Sequence, residues 1–204
     1  MNTIVWDVDD VLNNLMGDWL DRAWRPAHPQ CDVAYREIRE NPPHRVLGIP
    51  LDEYRQSLDA FRAAEGAVLE PAAEVLRWFH AHGHRARHSV LTAVPLRGAP
   101  MSAAWVLRHF GRWINSVGVV PSPRSDEQVP AYDQSKRDYL AWWGRGDIFV
   151  DDNATTVDAV RDLGIEAILW PRPWNQGVGS IADRLVQVTG LLTRRPEHNR
   201  RNQP

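Results

Sequence analysis

The sequence predicts an α/β protein: a doubly wound parallel sheet with a small helical cap inserted after its first strand. Three observations predict it. Five short apolar runs with strand character alternate with helical patterns along the chain, which is the signature of a parallel sheet covered on both faces. Glycines 83, 111, 144 and 164 each follow a helical pattern, where a left-handed C-terminal residue is expected. The connection between the first two strands is far longer than the dozen or so residues that a crossover needs.

The strands are read, in order, at 3–8 (TIVWDV), 87–92 (RHSVLT), 116–120 (SVGVV), 147–151 (DIFVD) and 165–170 (IEAILW). The helices fall at about 71–82, 100–110, 135–143, 154–163 and 179–192. Helix 71–82 returns the chain to the sheet, which leaves 13–69 as the insert. Two amphipathic stripes run through it, Leu15, Met16, Trp19, Leu20 and Ala23, then Leu51, Tyr54, Leu58 and Phe61. The expected organisation is a core of residues 1–12 and 70–193, a helical cap of 13–69, and a disordered tail of 194–204.

Composition narrows the class. Hydrophobic content of 43% and charged content of 25% suit a water-soluble globular chain. A formal net charge of -2 gives no footprint for a nucleic-acid polymer or an anionic membrane. The chain enters a strand pattern at once, without a secretory signal, and no apolar run reaches membrane-spanning length. Cys31 is a lone cysteine, which suits a reducing compartment. The expected location is cytoplasmic. Of the 24 lysines and arginines a single one, Lys136, is lysine. Arginine substitutes for lysine on a surface but not where a compact point charge is needed.

The strand ends carry the chemistry. Ligands of an open parallel sheet bind beyond the carboxyl ends of its strands. The first strand runs into Asp7, Asp9 and Asp10, the second ends at Thr92, the fourth ends in Asp151 and Asp152, and Lys136 opens a helix in DQSKRDYL. A buried strand does not end in ionised acids unless they are solvated, paired or bound to metal. Carboxylates without histidine or cysteine favour a hard cation such as Mg²⁺, which also takes substrate phosphate. An aspartate there can attack phosphorus, a second one can protonate the leaving oxygen, and a hydroxyl and an ammonium can hold the remaining oxygens.

This order of motifs, DxDx[VT], a strand ending in threonine, a lone lysine, then hhhDD, resembles the haloacid dehalogenase-like phosphatases over residues 1 to about 193. The resemblance implies Asp7 as nucleophile and Asp9 as general acid and then base. It implies Thr92, Ala93 and Lys136 as the phosphate-binding set. It also implies Mg²⁺ held by Asp7, the backbone carbonyl of Asp9, and the Asp151–Asp152 pair. The substrate expected is a small phosphorylated metabolite. A narrower likeness, to the 5′(3′)-deoxyribonucleotidase branch, rests on LEPAAEVLRWF, AAWVLRHFG and ILWPRPWNQ and implies a nucleoside monophosphate. Asp10 and Val11 depart from the commoner Gly and Thr of the first motif, and Ala93 stands where that branch carries a hydroxyl.

The residues also bear on other activities of this fold class. A dehalogenase has no leaving alkoxide for Asp9 to protonate, and a Schiff-base phosphonatase needs a cap lysine, which 13–69 lacks. A receiver-type regulatory module fits neither the long insert nor the Asp151–Asp152 pair. A phosphomutase and a non-catalytic phospho-ligand scaffold remain as alternatives. Asp10 is expected to be exposed or to cap the following helix. His80, His82, His84 and His88 lie close together, but His80 and His82 read as helix-end and His84 as turn histidines, with no cysteine nearby, before the group reads as a zinc site. Trp19, Trp24 and Trp78 are candidates to line the cleft under the cap, and Trp174 to edge it. Arg97 and Arg172 read as solvated loop arginines near the same edge.

Overall fold

The computed structural model describes residues 1–131, 133–175 and 177–193; the expected disorder of the tail, 194–204, falls outside them. Five parallel strands form one sheet in the order β3-β2-β1-β4-β5, with β1 Thr3–Trp6, β2 Arg87–Val94, β3 Ile114–Pro121, β4 Ile148–Asp151 and β5 Glu166–Leu169. The chain builds outward from β1 through β2 to β3, then crosses back to β4. The switch point therefore lies between β1 and β4, where Ile4, Val5 and Trp6 pair with Ile148, Phe149 and Val150. A crevice at the carboxyl ends is unavoidable there, because the connections leave in opposite directions.

Strand alternation sorts the side chains between two apolar layers. Ile4 and Trp6 face one side with α4 (Ala73–His82), α5 (Ala99–Phe110) and α8 (Ile181–Thr193). Val5, Leu91 and Phe149 face the other with α6 (Lys136–Trp143) and α7 (Ala154–Arg161). Trp6 centres the first layer, its ring 5.4 Å from Trp78, 5.3 Å from Phe79 and 6.5 Å from Trp170. Trp78 therefore belongs to the sheet core and not to the expected cleft lining, and its indole donates to Thr189 on α8 at 2.8 Å.

His88 lies in this layer and is buried. Its Nδ1 accepts from the Trp6 indole at 3.1 Å, which leaves Nε2 to donate to the Gly83 carbonyl at 2.8 Å. Both ring nitrogens are engaged only while the imidazole is neutral. Burial accordingly lowers its pKa from 6.5 to about 4. The depressed value means that the unfolded chain takes up the proton first as pH falls. Stability from this site is full above pH 6.5 and is lost down to about pH 4, by roughly 3 kcal/mol in all. Urea denaturation of the wild type and His88→Gln across that window is expected to show the wild type losing more stability on acidification. Parallel slopes would remove His88 as the cause.

Two of the four helix-ending glycines are left-handed as expected, Gly144 at φ 67° and Gly164 at φ 74°. Gly83 and Gly111 are right-handed, at φ -59° and -61°. Close approach explains them instead: a Cβ would come within 2.6 Å of the Trp113 ring at Gly83 and 2.2 Å of the Leu107 carbonyl at Gly111.

Between β1 and α4 the insert consists of α1 (Leu15–Trp19), a π turn (Leu20–Trp24), α2 (Arg25–Ala27) and the long α3 (Leu51–Glu65). The expected stripes are its buried faces, with Tyr54, Leu58 and Phe61 inward on α3. Its apolar side chains join the sheet core without a break. The Ala72 amide donates to the Leu12 carbonyl at 2.7 Å, so the two chain crossings into the insert lie side by side.

Candidate active site

The crevice at the switch point is a cleft of about 420 Å³ between the strand ends and the insert, a size suited to a small molecule. Asp7, Asp9, Thr92, Ala93, Lys136, Asp151 and Asp152 all line it. Each arrives by a different route. Asp7 is the first residue past β1, and its amide still bonds the Val150 carbonyl at 2.9 Å. Asp151 ends β4. Lys136 is the first residue of α6, whose N-cap Ser135 accepts from the Asp138 amide, so the cap fixes where the lysine enters.

Lys136 bridges two of the acids, with Nζ at 2.7 Å from Asp7 Oδ1 and 2.7 Å from Asp151 Oδ2. Asp7, Asp151 and Asp152 each offer one carboxylate oxygen within 4.8 Å of the others, the one such group among the described residues. All three are buried. Burial pushes the Asp7 carboxyl well above its usual range; Lys136 opposes this, while Asp151 and Asp152 add to it. Asp152 is pushed up to about 8, chiefly by burial and then by Asp151. Burial works against charge on Lys136 as well, but Asp151 and Asp7 hold it protonated.

Three acids against one lysine leave the cluster short of positive charge in a desolvated place. An oxygen-only donor set with that deficit fits a hard divalent cation, so the residues present suit the metal that the motifs implied. Supporting contacts orient the set. The Trp174 indole donates to Asp152 Oδ2 at 2.7 Å, the Asn153 amide donates to Asp151 Oδ1 at 2.8 Å, and Asn175 holds the Asp152 carbonyl at 2.6 Å.

Thr92 does not end its strand. β2 continues to Val94, with Thr92 in register against Val119. Its hydroxyl is buried and without a hydrogen-bond partner, and buried hydroxyls are normally satisfied. Ala93 follows as an exposed residue of the same wall.

Asp9 lies apart from the acid cluster. Its Oδ2 takes Arg62 Nη2 of α3 at 2.7 Å, and its Oδ1 accepts from Asn13 at 3.3 Å. Arg62 continues to Asp59 at 3.4 Å, and Asp59 is gripped by Arg124 at 2.7 and 2.9 Å and by Arg97 at 3.2 Å. Burial works against the Asp59 charge, yet Arg124 and Arg62 hold its carboxyl below the usual range.

Several sequence readings change here. Of the two expectations for Asp10, the cap is met and exposure is not: the residue is buried at φ +62° and accepts from the Met16 amide at the start of α1 at 3.0 Å. Burial raises its carboxyl to about 7, against the pull of Arg172. Arg172 is not a solvated arginine but ties down the first loop, donating to the Asp10 carbonyl at 2.6 Å and to the Asn13 carbonyl at 3.3 Å. Arg97 is likewise paired, with Asp126 at 2.8 Å as well as Asp59. Trp19 and Trp24 pack on each other at 5.4 Å inside the insert, and the aromatic side chain on the cleft wall is Tyr54. Trp174, expected at the edge of the cleft, meets one of its acids, Asp152, through the indole.

Arg62, Asp59 and Arg124 went unnoticed in the sequence. The Asp59–Arg62 spacing was a faint signal, since residues three apart share a helix face. Arg124 lies in PSPRSDEQ, a loop that carries no pattern at all.

No family model matches the sequence, and no curated protein does. Solved structures do match. A haloacid dehalogenase-like hydrolase of Streptococcus pneumoniae aligns over 92% of this chain and 90% of its own, at 12% identity and a TM-score of 0.56. A haloacid dehalogenase superfamily hydrolase of subfamily IA from Geobacter sulfurreducens aligns over 94% and 96%, at 13% identity and 0.55. Protein tyrosine kinase A of Mycobacterium tuberculosis aligns over 88% and 87%, at 18% identity and 0.61. The chain has the haloacid dehalogenase-like fold. On that fold the buried Asp7, Asp151 and Asp152 form a carboxylate group that could hold a metal ion.

Proposed function

We propose that the chain is a Mg²⁺-dependent phosphomonoester hydrolase that works through an aspartyl-phosphate. The observation that carries this reading is the buried Asp7–Lys136–Asp151–Asp152 cluster beside the unpartnered Thr92 hydroxyl. Asp7, Asp151, Asp152 and the backbone carbonyl of Asp9 would hold the cation, which supplies positive charge against the phosphate oxygens. The Thr92 hydroxyl and the Lys136 ammonium take up equatorial oxygens, and the Thr92–Ala93 wall lets the phosphoryl group lie against the strand end.

In the first half-reaction a carboxylate oxygen of Asp7 attacks phosphorus and the bond to the ester oxygen breaks. Asp9 gives its proton to the departing alkoxide, which leaves as an alcohol. In the second half, water attacks the aspartyl-phosphate and Asp9 takes a proton from it. Inorganic phosphate leaves and Asp7 is regenerated. Arg62 keeps the Asp9 carboxyl at the leaving-group side. The insert acts as the cap that limits access to small, soluble substrates, consistent with a cytoplasmic metabolic enzyme. No helix of the described residues is long and apolar enough to cross a membrane.

Nucleoside monophosphates stand as one candidate substrate class on the likeness of sequence alone. The deciding experiment is phosphate release from nucleoside 5′- and 3′-monophosphates, sugar phosphates, phosphorylated acids and an aryl phosphate, with Mg²⁺ and with chelator. Release that needs Mg²⁺ from at least one of them is expected. No release from any, by folded protein with Mg²⁺ present, would overturn the hydrolase and favour a phospho-ligand scaffold.

A further inference from the structure

The leaving-group side of the cleft is built from arginine. Helix α3 places Arg55, Asp59 and Arg62 on one stripe, four and then three residues apart. Arg55 and Arg62 line the cleft together with Arg124 from the loop after β3. Arg124 grips Asp59 through Nε and Nη2 at 2.7 and 2.9 Å, the two-pronged geometry by which arginine takes a free carboxylate or phosphate. Arg62 and Arg97 complete a ring of three cations around this one carboxylate. The same two-pronged geometry suits an acidic group of a ligand.

Two features exceed what fastening the insert requires. Arg62 Nε is buried without a hydrogen-bond partner, and an unmet buried donor is costly unless something completes it. Arg55 faces the cleft with only a 3.7 Å contact to the exposed Asp52. Arg62 also touches Asp9 at 2.7 Å, so the arginine group adjoins the residue that faces the leaving oxygen.

We propose that Arg55, Arg62 and Arg124 form a subsite for a second anionic group on the substrate, a carboxylate or a second phosphate borne by the leaving alcohol. Asp59 and Asp9 occupy its donors in the free chain. The subsite deepens the phosphomonoesterase reading and rests on it. An acidic leaving group meets three cations there and can pair with them by charge as well as by hydrogen bonds; a neutral alcohol of the same size can only accept hydrogen bonds from them.

The test compares paired esters on the wild-type chain with Mg²⁺, 3-phosphoglycerate against glycerol 3-phosphate, which are matched in size, and ribose 1,5-bisphosphate against ribose 5-phosphate, which differ by the added phosphate. The first pair reads a carboxylate and the second a phosphate as the added anion. Both kcat/KM and, by calorimetry on the inert Asp7→Asn chain, Kd are measured. The acidic member of at least one pair is expected to be favoured by about tenfold or more in both readouts. Arg124→Gln is expected to bring that ratio close to one. Equal values within both pairs overturn the subsite, whatever the variant does. Acid-selective binding without any turnover would sink the hydrolase and leave the subsite standing; turnover without acid selectivity would do the reverse.

Discussion

Asp7→Asn is expected to reduce phosphate release by about a thousandfold or more, since in the proposed mechanism it removes the nucleophile from a site that acts as a unit. The same change is expected to leave the fold intact. Burial already disfavours charge on Asp7, whose carboxyl is pushed well above its usual range. A neutral amide of the same shape removes a charge that folding resists. Lys136 keeps Asp151 as a partner at 2.7 Å. Urea denaturation and a phosphate-release assay on one preparation check both halves. An Asp7→Asn chain that turned over at the wild-type rate would end the assignment of Asp7, and with it the aspartyl-phosphate.

Lys136→Met is expected to act on stability as well as on rate. The lysine is the cation that the buried cluster holds, at 2.7 Å from both Asp7 and Asp151. Without it the acids face one another desolvated, and breaking a buried pair from one side costs about 3–5 kcal/mol. The sign with pH follows from the direction of the shifts. Asp7 and Asp152 already have raised pKa values, so protonation relieves the repulsion, and the loss in Lys136→Met shrinks as pH falls from about 8. Mg²⁺ should restore the variant more than it stabilises the wild type, because the cluster without its lysine is more negative and attracts a divalent cation more strongly, and binding to the native state adds stability. Denaturation at pH 5 and pH 8, with Mg²⁺ and with chelator, separates these effects. A variant as stable as the wild type in all four conditions would mean that Lys136 does not balance the cluster. The rate is expected to fall by about a hundredfold even with Mg²⁺ present, through loss of one fixed charge on the transferring group.

These two expectations draw on what was legible in the sequence. The alternation of apolar runs and amphipathic patterns determined the α/β class, the five strands and the inserted helices, because period and burial are local consequences of side-chain type. The same holds for Asp7, Thr92, Lys136, Asp151 and Asp152. Each stands at or near a strand or helix end, and the carboxyl edge of a parallel sheet gathers such ends by topology alone.

What tertiary structure decided is where long side chains reach. Arg62 was one more arginine beyond an apolar stripe until α3 came down over Asp9, 53 positions away along the chain. Arg124 and Asp59 meet across 65 positions, and Arg172 secures Asp10 across 162. The capping role of Asp10 was legible from its place before α1, but its burial was not, because that depends on Arg172 and on the packed insert, neither of which a local pattern contains. Trp78 read as a cleft residue because its helix was placed correctly but its facing neighbours, Trp6 and Thr189, were not knowable from spacing. Composition and periodicity specify which residues must be buried and on which element. Only the assembled chain specifies which charges meet, since a pair of long side chains is joined by distance in space and leaves no mark on the order of residues.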